Sequence, residues 1–203
     1  MIWGEIAMRL IGFYDYTVVL TYLSLVSSLT GMVLVCRGHF WLAVGCLMLS
    51  GVCDMFDGIV ARSKKNRTVD EKNFGIQLDS LCDVVCFGVF PATLLYFSGV
   101  ESLAGIALLI FYVLCALIRL AFFSVLETKR QMTEDGCAKE YRGLPVTTSA
   151  MIYPLVFFVG LWLPETVKTA VYYALPFVVG CLFILDVRIP KIDFGKIFFG
   201  GKK

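Results

Sequence analysis

The chain has 203 residues, of which 59% are hydrophobic and 17% are charged, and its mean hydropathy is +0.81. A soluble core of this length could not bury so much apolar surface, so the composition excludes an ordinary soluble domain and indicates a membrane protein. The formal net charge of +2 is too small, and the basic residues are too scattered, for a nucleic-acid-binding protein.

Residues 1–15 are predicted to form an amphipathic helix that lies flat in the membrane interface. Trp3, Ile6 and Leu10 recur at three- and four-residue spacing, and the charged residues of the segment are set apart from them. The alternative is that the segment forms the first turn of the first membrane span.

Six apolar stretches follow, each long enough to cross about 30 Å of hydrocarbon as a helix. Their approximate bounds are 17–36, 40–61, 75–98, 102–126, 145–163 and 167–187. None shows the alternation, over about ten residues, of a membrane β-barrel strand. The predicted fold class is therefore all-α, a polytopic integral membrane protein with about six transmembrane helices. The chain is predicted to be a single membrane-embedded domain over 1–203, with the six helices in 16–187 and a tail over 188–203.

The lysines and arginines between the spans predict the orientation in the membrane. Nine of the eighteen lie in the loops 62–74 and 127–144, and five more lie in 188–203, whereas the alternate loops contain only Arg37 and Lys168. By the positive-inside rule, the basic loops, both termini and the tail face the cytoplasm. The predicted location is the plasma membrane, which the chain crosses several times.

Four aspartates interrupt the apolar stretches on the two sides of the loop 62–74. Asp54 and Asp57 are three residues apart, and Asp79 and Asp83 are four apart, so each pair lies on one face of its helix. Because the two helices run antiparallel, the acidic faces are predicted to meet just below the cytoplasmic surface. A charged aspartate at the bilayer centre costs about 2.5–3.5 kcal/mol, so this cluster requires compensation.

Divalent cations are predicted to provide that compensation. Mg²⁺ and Mn²⁺ prefer oxygen ligands, and two ions would balance four carboxylates and bind a phosphate between them. Small residues on the acidic face, Gly58 and Ala61, would let the phosphate come close. From the residues alone, a structural salt-bridge cluster and the ion path of a divalent-cation transporter remain as alternatives.

The pattern around the aspartates resembles the signature of a known family. It is D-x2-D-G-x2-A-R over 54–62 and G-x3-D-x3-D over 75–83, and it is similar to that of the CDP-alcohol phosphatidyltransferases. The spacer between the two halves, Ser63–Phe74, has twelve residues and is longer than is usual in the family. The resemblance implies a homodimeric membrane enzyme that transfers a phosphatidyl group from a CDP-activated lipid to an alcohol and releases CMP.

The resemblance also implies roles for individual residues. The four aspartates would hold the metal ions, Asp57 would also contact the CDP-lipid, and Asp83 would be the general base that accepts the proton of the alcohol. The residues implied around the cytidine diphosphate are Gly58, Ala61, Arg62 and Gly75.

Within this family, the serine-transferring branch is the most similar. The likeness lies mainly in 78–92, with further likeness in 13–17, 21–25 and 141–145. The expected substrates are therefore CDP-diacylglycerol and L-serine, with phosphatidylserine and CMP as products. Glycerol phosphate or inositol phosphate as the alcohol, and an archaeal-type ether lipid as the donor, are the alternatives.

Serine has a carboxylate, which requires a fixed cation. Arg119, the one arginine well inside a predicted span, is the first candidate, and Arg142, which precedes Gly143-Leu144-Pro145, is the second. The alternative for Arg119 is a structural role, in which it snorkels to the interface or pairs with an aspartate. The alternative for Arg142 is that it anchors its loop at the cytoplasmic surface.

Two further groups of residues have candidate roles in substrate binding. Hydroxyl groups on the first span could bind the cytosine or the ribose, although such groups often bond to the backbone of their own helix. These are Thr21, Ser24, Ser27 and Ser28. The aromatic candidates for a groove that holds the acyl chains are Phe87, Phe90 and Phe122.

Overall fold

The structure is a computed structural model, and it describes residues 12–13, 16–64, 68–132, 140–142, 144–186 and 188–190. Within these ranges the chain forms seven α-helices. They are α1 (Val19–Cys36), α2 (Phe40–Ser63), α3 (Val69–Asp83), α4 (Phe90–Phe97), α5 (Leu103–Met132), α6 (Ser149–Val159) and α7 (Glu165–Ile184). Short 3₁₀ turns precede α1 and α6, over Tyr16–Val18 and Val146–Thr148, and a π-helical turn, Val84–Val89, joins α3 to α4.

Five helical stretches are long and apolar enough to cross a membrane. They are Tyr16–Cys36, Phe40–Val60, Val69–Phe97, Leu103–Thr128 and Glu165–Ile184. The prediction of a helical, polytopic membrane protein is therefore confirmed. The predicted span 145–163 instead contains the shorter apolar helix Val146–Val159, which reaches about 21 Å at 1.5 Å per residue. It ends early because the chain turns at Gly160–Trp162 before α7 begins.

Two three-residue strands add a feature that the all-α prediction does not include. β1 (Glu140–Arg142) pairs with β2 (Arg188–Pro190) in antiparallel fashion, with Tyr141 opposite Ile189. The predicted tail therefore begins with a strand, which backbone hydrogen bonds tie to the loop after α5. The predicted interfacial helix over 1–15 lies outside the described residues, except for Gly12 and Phe13.

The outer surface of the bundle is apolar, and part of its interior is polar. Leu103 and Trp162 are 87% and 80% exposed, whereas Ser28 and Ser50 are completely buried between α1 and α2. This distribution is the one expected in lipid, because apolar side chains face the acyl chains and hydroxyl groups bond between helices.

The most tightly buried part of the core lies where the π turn, α4, α5 and α6 meet. Four large aromatic side chains there are at most 2% exposed, namely Phe87, Phe90, Tyr112 and Tyr153. The rings of Tyr112 and Tyr153 have their centroids 5.6 Å apart. This core lies at the C-terminal end of α3, where the π turn begins.

Two glycines allow neighbouring helices to approach this core closely. A Cβ atom at Gly31 of α1 would lie 2.2 Å from the ring of Phe90, and one at Gly51 of α2 would lie 2.5 Å from Cβ of Ala150 in α6. Both distances are shorter than any real contact, so a larger residue would push the helices apart.

The connection between α2 and α3 is shorter than the twelve-residue spacer suggests. α2 ends at Ser63 and α3 begins at Val69, so seven of the twelve spacer residues are helical. Thr68 caps α3, since its side chain accepts from the Glu71 N–H and the Glu71 carboxylate accepts from the Thr68 N–H. Glu71 also pairs with Lys64 at the end of α2, with 3.3 Å between Nζ and Oε1. The longer spacer therefore extends α3 and leaves the hairpin between the two acidic helices intact.

Candidate active site

The aspartates of α2 and α3 lie close together in the structure. Oxygen atoms of Asp54, Asp57 and Asp79 all lie within 4.8 Å of one another, which is close enough for one metal ion to contact all three. The first two lie on adjacent turns of α2, and the third comes from the facing turn of α3. The structure thus joins the two acidic faces that the residue spacing predicts.

Asp83 is the most deeply buried of the four aspartates, at 7% exposure. It is the last residue of α3, and its carboxyl group interacts with those of Asp54 and Asp79. It is not one of the three residues whose oxygens share the 4.8 Å radius. Asp83 therefore lies beside the three-carboxylate group, where it could accept a proton from a molecule bound there.

The donor set of the three carboxylates fits a hard divalent cation. All candidate ligand atoms are carboxylate oxygens, which Mg²⁺ and Mn²⁺ prefer. One of them, Oδ1 of Asp79, is buried and has no hydrogen-bond partner among the described residues. The sequence contains no lysine or arginine between Arg37 and Arg62 or between Lys72 and Arg119. A bound cation would satisfy the oxygen of Asp79 and offset the negative charge of the three carboxylates.

Thr21 of α1 contacts one of the aspartates directly. Its Oγ1 donates to Oδ2 of Asp57 at 3.3 Å, and the threonine is 6% exposed. This hydrogen bond restricts the orientation of the Asp57 carboxylate. The sequence hypothesis assigned Thr21 to nucleotide binding and missed this role. The signal available was its place on one helical face with Ser24 and Ser28, at three- and four-residue spacing.

The serines of α1 bond to α2, and not to their own helix. Ser24 Oγ lies 2.6 Å from Ser50 Oγ, and Ser28 donates to Ser50 Oγ at 2.9 Å. Ser27 donates to the carbonyl of Cys46 at 2.9 Å. Their hydroxyl groups are thus already used in joining two helices below the carboxylates, so the hypothesis that they bind cytosine or ribose has no support in this arrangement.

Four motif residues next to the aspartates, Gly58, Ala61, Arg62 and Gly75, are described by the structure to different extents. A Cβ atom at Gly58 would have no atom of the described residues within 4 Å, so these residues leave the space next to Asp57 open. Gly75 lies half-buried on α3. Ala61 and Arg62 continue α2 in backbone, but their side chains lie outside the described part of the chain. Open space beside Asp57 is what the approach of a diphosphate to the carboxylates requires.

Arg119 is buried in α5, at 8% exposure. Its Nε has no hydrogen-bond partner in the described part of the chain, and its Cζ lies 5.9 Å from the centroid of the Phe123 ring. Asp186, just after α7, is the acidic residue whose charge acts on it. Arg142 lies in β1, and its side chain is outside the described residues. Of the two candidates for serine binding, Arg119 is therefore the one for which the structure shows a buried donor that could bind a ligand.

A family model described as CDP-alcohol phosphatidyltransferase matches residues 17–182, which include α1 to α6 and nearly all of α7. The chain belongs to this family. The match includes the acidic hairpin, so the four aspartates lie within the part of the chain that is similar to the family.

Named relatives share this similarity along much of the chain. A CDP-diacylglycerol–serine O-phosphatidyltransferase of Methanocaldococcus jannaschii is 36% identical over 177 residues, which are 87% of this chain and 75% of that protein. A protein of the same description from Saccharomyces cerevisiae is 38% identical over 128 residues, 61% of this chain and 42% of that protein. An archaetidylserine synthase of Methanothermobacter thermautotrophicus is 32% identical over 148 residues, 72% of this chain and 57% of that protein.

The similarity thus covers about half of the yeast and Methanothermobacter proteins and three quarters of the Methanocaldococcus protein. No solved structure matches the chain.

The aromatic candidates for an acyl-chain groove are mostly wrong in this CDP-alcohol phosphatidyltransferase. Phe87 and Phe90 are completely buried in the core between helices, so they face no lipid, whereas Phe122 on α5 is 48% exposed. Hydropathy does not distinguish a residue in the core from one at a lipid-facing groove, because both positions are apolar.

Proposed function

We propose that this CDP-alcohol phosphatidyltransferase transfers a phosphatidyl group from CDP-diacylglycerol to L-serine, giving phosphatidylserine and CMP. The observation that carries the proposal is the group of carboxylates that α2 and α3 hold together, with Asp83 beside it. The choice of serine is supported by the names of the three relatives, of which two refer to serine itself and one to a serine lipid.

The binding of the CDP-lipid involves the acidic hairpin. In the proposal, two divalent metal ions, either Mg²⁺ or Mn²⁺, would be held by Asp54, Asp57 and Asp79. Asp83 would be a further ligand. When bound, the metal would offset the charge of the diphosphate and of the departing CMP. Thr21 orients Asp57 for this task, and the open space at Gly58 admits the diphosphate. Ala61, Arg62 and Gly75 complete the proposed nucleotide pocket.

The chemical step requires a base next to the bound diphosphate, and we assign this role to Asp83. Its carboxylate accepts the proton of the serine hydroxyl as that oxygen attacks the phosphorus on the lipid side. The bond from that phosphorus to the bridging oxygen breaks, and CMP leaves with the bridging oxygen. Charges fixed in advance by the helices are the main source of rate acceleration in such a site.

The acceptor serine requires recognition of its carboxylate. Arg119 is the first candidate because it is buried and its Nε has no partner among the described residues, and a guanidinium can donate two parallel bonds to a carboxylate. Arg142 is the second candidate, by its position after the basic loop. A sugar-phosphate acceptor would require several basic residues beside the carboxylates, which is why serine is favoured over glycerol phosphate and inositol phosphate.

Location and assembly form part of the proposal. The chain is a multi-pass membrane protein, and the lysines and arginines around the acidic hairpin support an active site on the cytoplasmic side. The plasma membrane is the proposed location. A homodimer is implied by the family resemblance. The chain is proposed to be one catalytic domain over 1–203.

The test is a panel of acceptors with the purified protein. CDP-diacylglycerol is incubated with L-serine, glycerol phosphate or inositol phosphate, and CMP release is measured together with the lipid product. We expect CMP and phosphatidylserine in equal amounts with serine alone. CMP release that depends on another alcohol would reassign the acceptor. The absence of CMP release with every alcohol would refute the proposal for this donor.

A second donor is favoured by one specific observation, the relative named archaetidylserine synthase. The same panel is therefore repeated with the ether-linked counterpart of CDP-diacylglycerol. A kcat/KM for the ether donor at least tenfold above that for the ester donor would make this chain an archaetidylserine synthase.

A further inference from the structure

The six residues that follow Asp83, Val84–Val89, form a π-helical turn inside an otherwise α-helical span. A π turn contains one more residue per turn than an α turn, is rare, and occurs often at functional sites. Here it begins directly after the proposed base and ends before α4. The direction of the Asp83 side chain relative to the core therefore depends on this turn being kept.

The backbone carbonyl of Phe87, in the π turn, is satisfied by a side chain. Pro91 has no N–H, so it cannot donate to the carbonyl of Phe87 four residues earlier, as an α-helix would require. Tyr112 of α5 takes that place, because its Oη donates to the Phe87 carbonyl at 2.6 Å. Both Phe87 and Tyr112 are completely buried, where an unpaired carbonyl would be strongly unfavourable.

Tyr112 also connects the π turn to the start of α6. Its Oη lies 2.9 Å from Oγ of Ser149, which is itself 2.7 Å from the carbonyl oxygen of Val146. The Ser149 hydroxyl can donate to the Tyr112 Oη or to the Val146 carbonyl. On the other side of the turn, Ser24 of α1 donates to Sγ of Cys86 at 3.5 Å. The turn is thus held between three helices by side-chain contacts.

We infer that Tyr112 is a positioning residue for Asp83. By bonding to the Phe87 carbonyl, the tyrosine hydroxyl keeps the π turn and so keeps the Asp83 carboxylate directed at the group formed by Asp54, Asp57 and Asp79. Without this bond the buried Phe87 carbonyl loses its donor, and Pro91 has no N–H to replace it, so the turn must shift for the carbonyl to find another donor. Asp83, at the start of the turn, then moves with it. The inference rests on the proposed function, in which Asp83 is the base.

The matched experiment compares Tyr112→Phe with Tyr153→Phe in the purified, detergent-solubilised protein. The two rings touch and both are buried, but among the described residues no hydrogen bond joins the Tyr153 hydroxyl to the π turn. Each change removes one buried hydroxyl, and only the first removes a bond to the π turn. Misplacement of a reacting group by 1 Å costs about 10²-fold in rate, so we expect kcat of Tyr112→Phe to fall at least tenfold. KM for the CDP-lipid should stay within about twofold, and Tyr153→Phe should resemble wild type.

Two results would overturn the inference: an unchanged kcat in Tyr112→Phe, or equal losses in the two variants, which would indicate general damage to the core. All kcat values are expressed relative to wild type with whichever alcohol it uses. An inactive wild type would then refute the proposed function, whereas an active wild type with an equally active Tyr112→Phe would refute only the inference.

If Tyr112→Phe does not accumulate in the membrane, the double variant Pro91→Ala with Tyr112→Phe tests the same claim. Alanine restores an N–H at position 91 that can donate to the Phe87 carbonyl. Because that bond is the α-helical one and replaces the π turn, we expect the double variant to accumulate in the membrane with kcat at least tenfold below wild type. Wild-type turnover, or a double variant that accumulates no better than the single one, would contradict the inference.

Discussion

Replacing Thr21 by valine removes the hydroxyl that donates to Asp57 and keeps the shape of the side chain. A hydrogen bond to a charged group contributes about 1.5–3 kcal/mol. The Thr21 bond, at 3.3 Å, is longer than the usual range, so the lower end applies. A loss of about 1.5 kcal/mol is slightly more than tenfold in affinity, and it agrees with the about 10–100-fold loss typical when a partner of a metal ligand is removed.

The assay is CMP release as a function of Mg²⁺ or Mn²⁺ concentration. We expect Thr21→Val to require about tenfold more metal for half-maximal activity, because the Asp57 carboxylate is no longer held in one orientation. Thr30→Val is the matched control, since Thr30 lies on the same helix, is exposed, and donates only to the carbonyl of Val26 at 2.8 Å. An unchanged metal requirement in Thr21→Val, or an equal change in Thr30→Val, would refute the assignment of Asp57 as a ligand that Thr21 orients.

Four further predictions test the base, the acceptor site, the packing and the topology. Asp83→Asn should lower kcat by at least about 10²-fold with a much smaller effect on CDP-lipid binding, and a near wild-type kcat would remove Asp83 as the base. Arg119→Lys should raise KM for serine more than KM for the lipid, and an unchanged serine KM would leave that arginine a structural role. Gly51→Val should destabilise the protein by about 1–3 kcal/mol in thermal unfolding, because its Cβ would lie 2.5 Å from Ala150, whereas Gly45→Val, where a Cβ meets no atom within 4 Å, should not. A cysteine introduced at exposed Lys72 should be protected from an impermeant thiol reagent applied outside intact cells. The label is located by peptide mass spectrometry, and labelling at position 72 would place the active site on the outer side of the membrane.

The acidic hairpin is the part of the site that the sequence predicts best. The spacing of the aspartates at three and four residues defines one face on each helix, and the short loop between them forces the two helices to run antiparallel. The convergence of Asp54, Asp57 and Asp79 follows from these local rules, and the structure shows it. The extra residues of the spacer change nothing here because they lengthen α3 at its solvent end.

The contacts that hold this hairpin in place depend on tertiary packing, which local spacing does not reveal. Thr21 and Asp57 are 36 residues apart, and Tyr112 and Phe87 are 25 apart. The π turn depends on Pro91, which has no N–H, and on Tyr112, whose hydroxyl donates to the Phe87 carbonyl in its place. The hydropathy pattern is the same with or without the turn.

Two other features escape prediction for related reasons. The apolar stretch 145–163 continues beyond the end of α6 at Val159, so hydropathy indicates a full span where the chain already turns. The strands β1 and β2 are three residues each, too short for an alternating pattern to indicate them, and their pairing joins segments on opposite sides of two helices.

The metal requirement tests the central claim, that the carboxylates of α2 and α3 form the reacting centre, most directly. CMP release from CDP-diacylglycerol and L-serine is measured while a chelator and then Mg²⁺ or Mn²⁺ are titrated into wild type and Asp57→Asn. We predict that the chelator abolishes turnover of wild type, that either ion restores it, and that Asp57→Asn requires more metal and binds the CDP-lipid less tightly. Full turnover in excess chelator, by protein that contains no bound metal, would contradict the account.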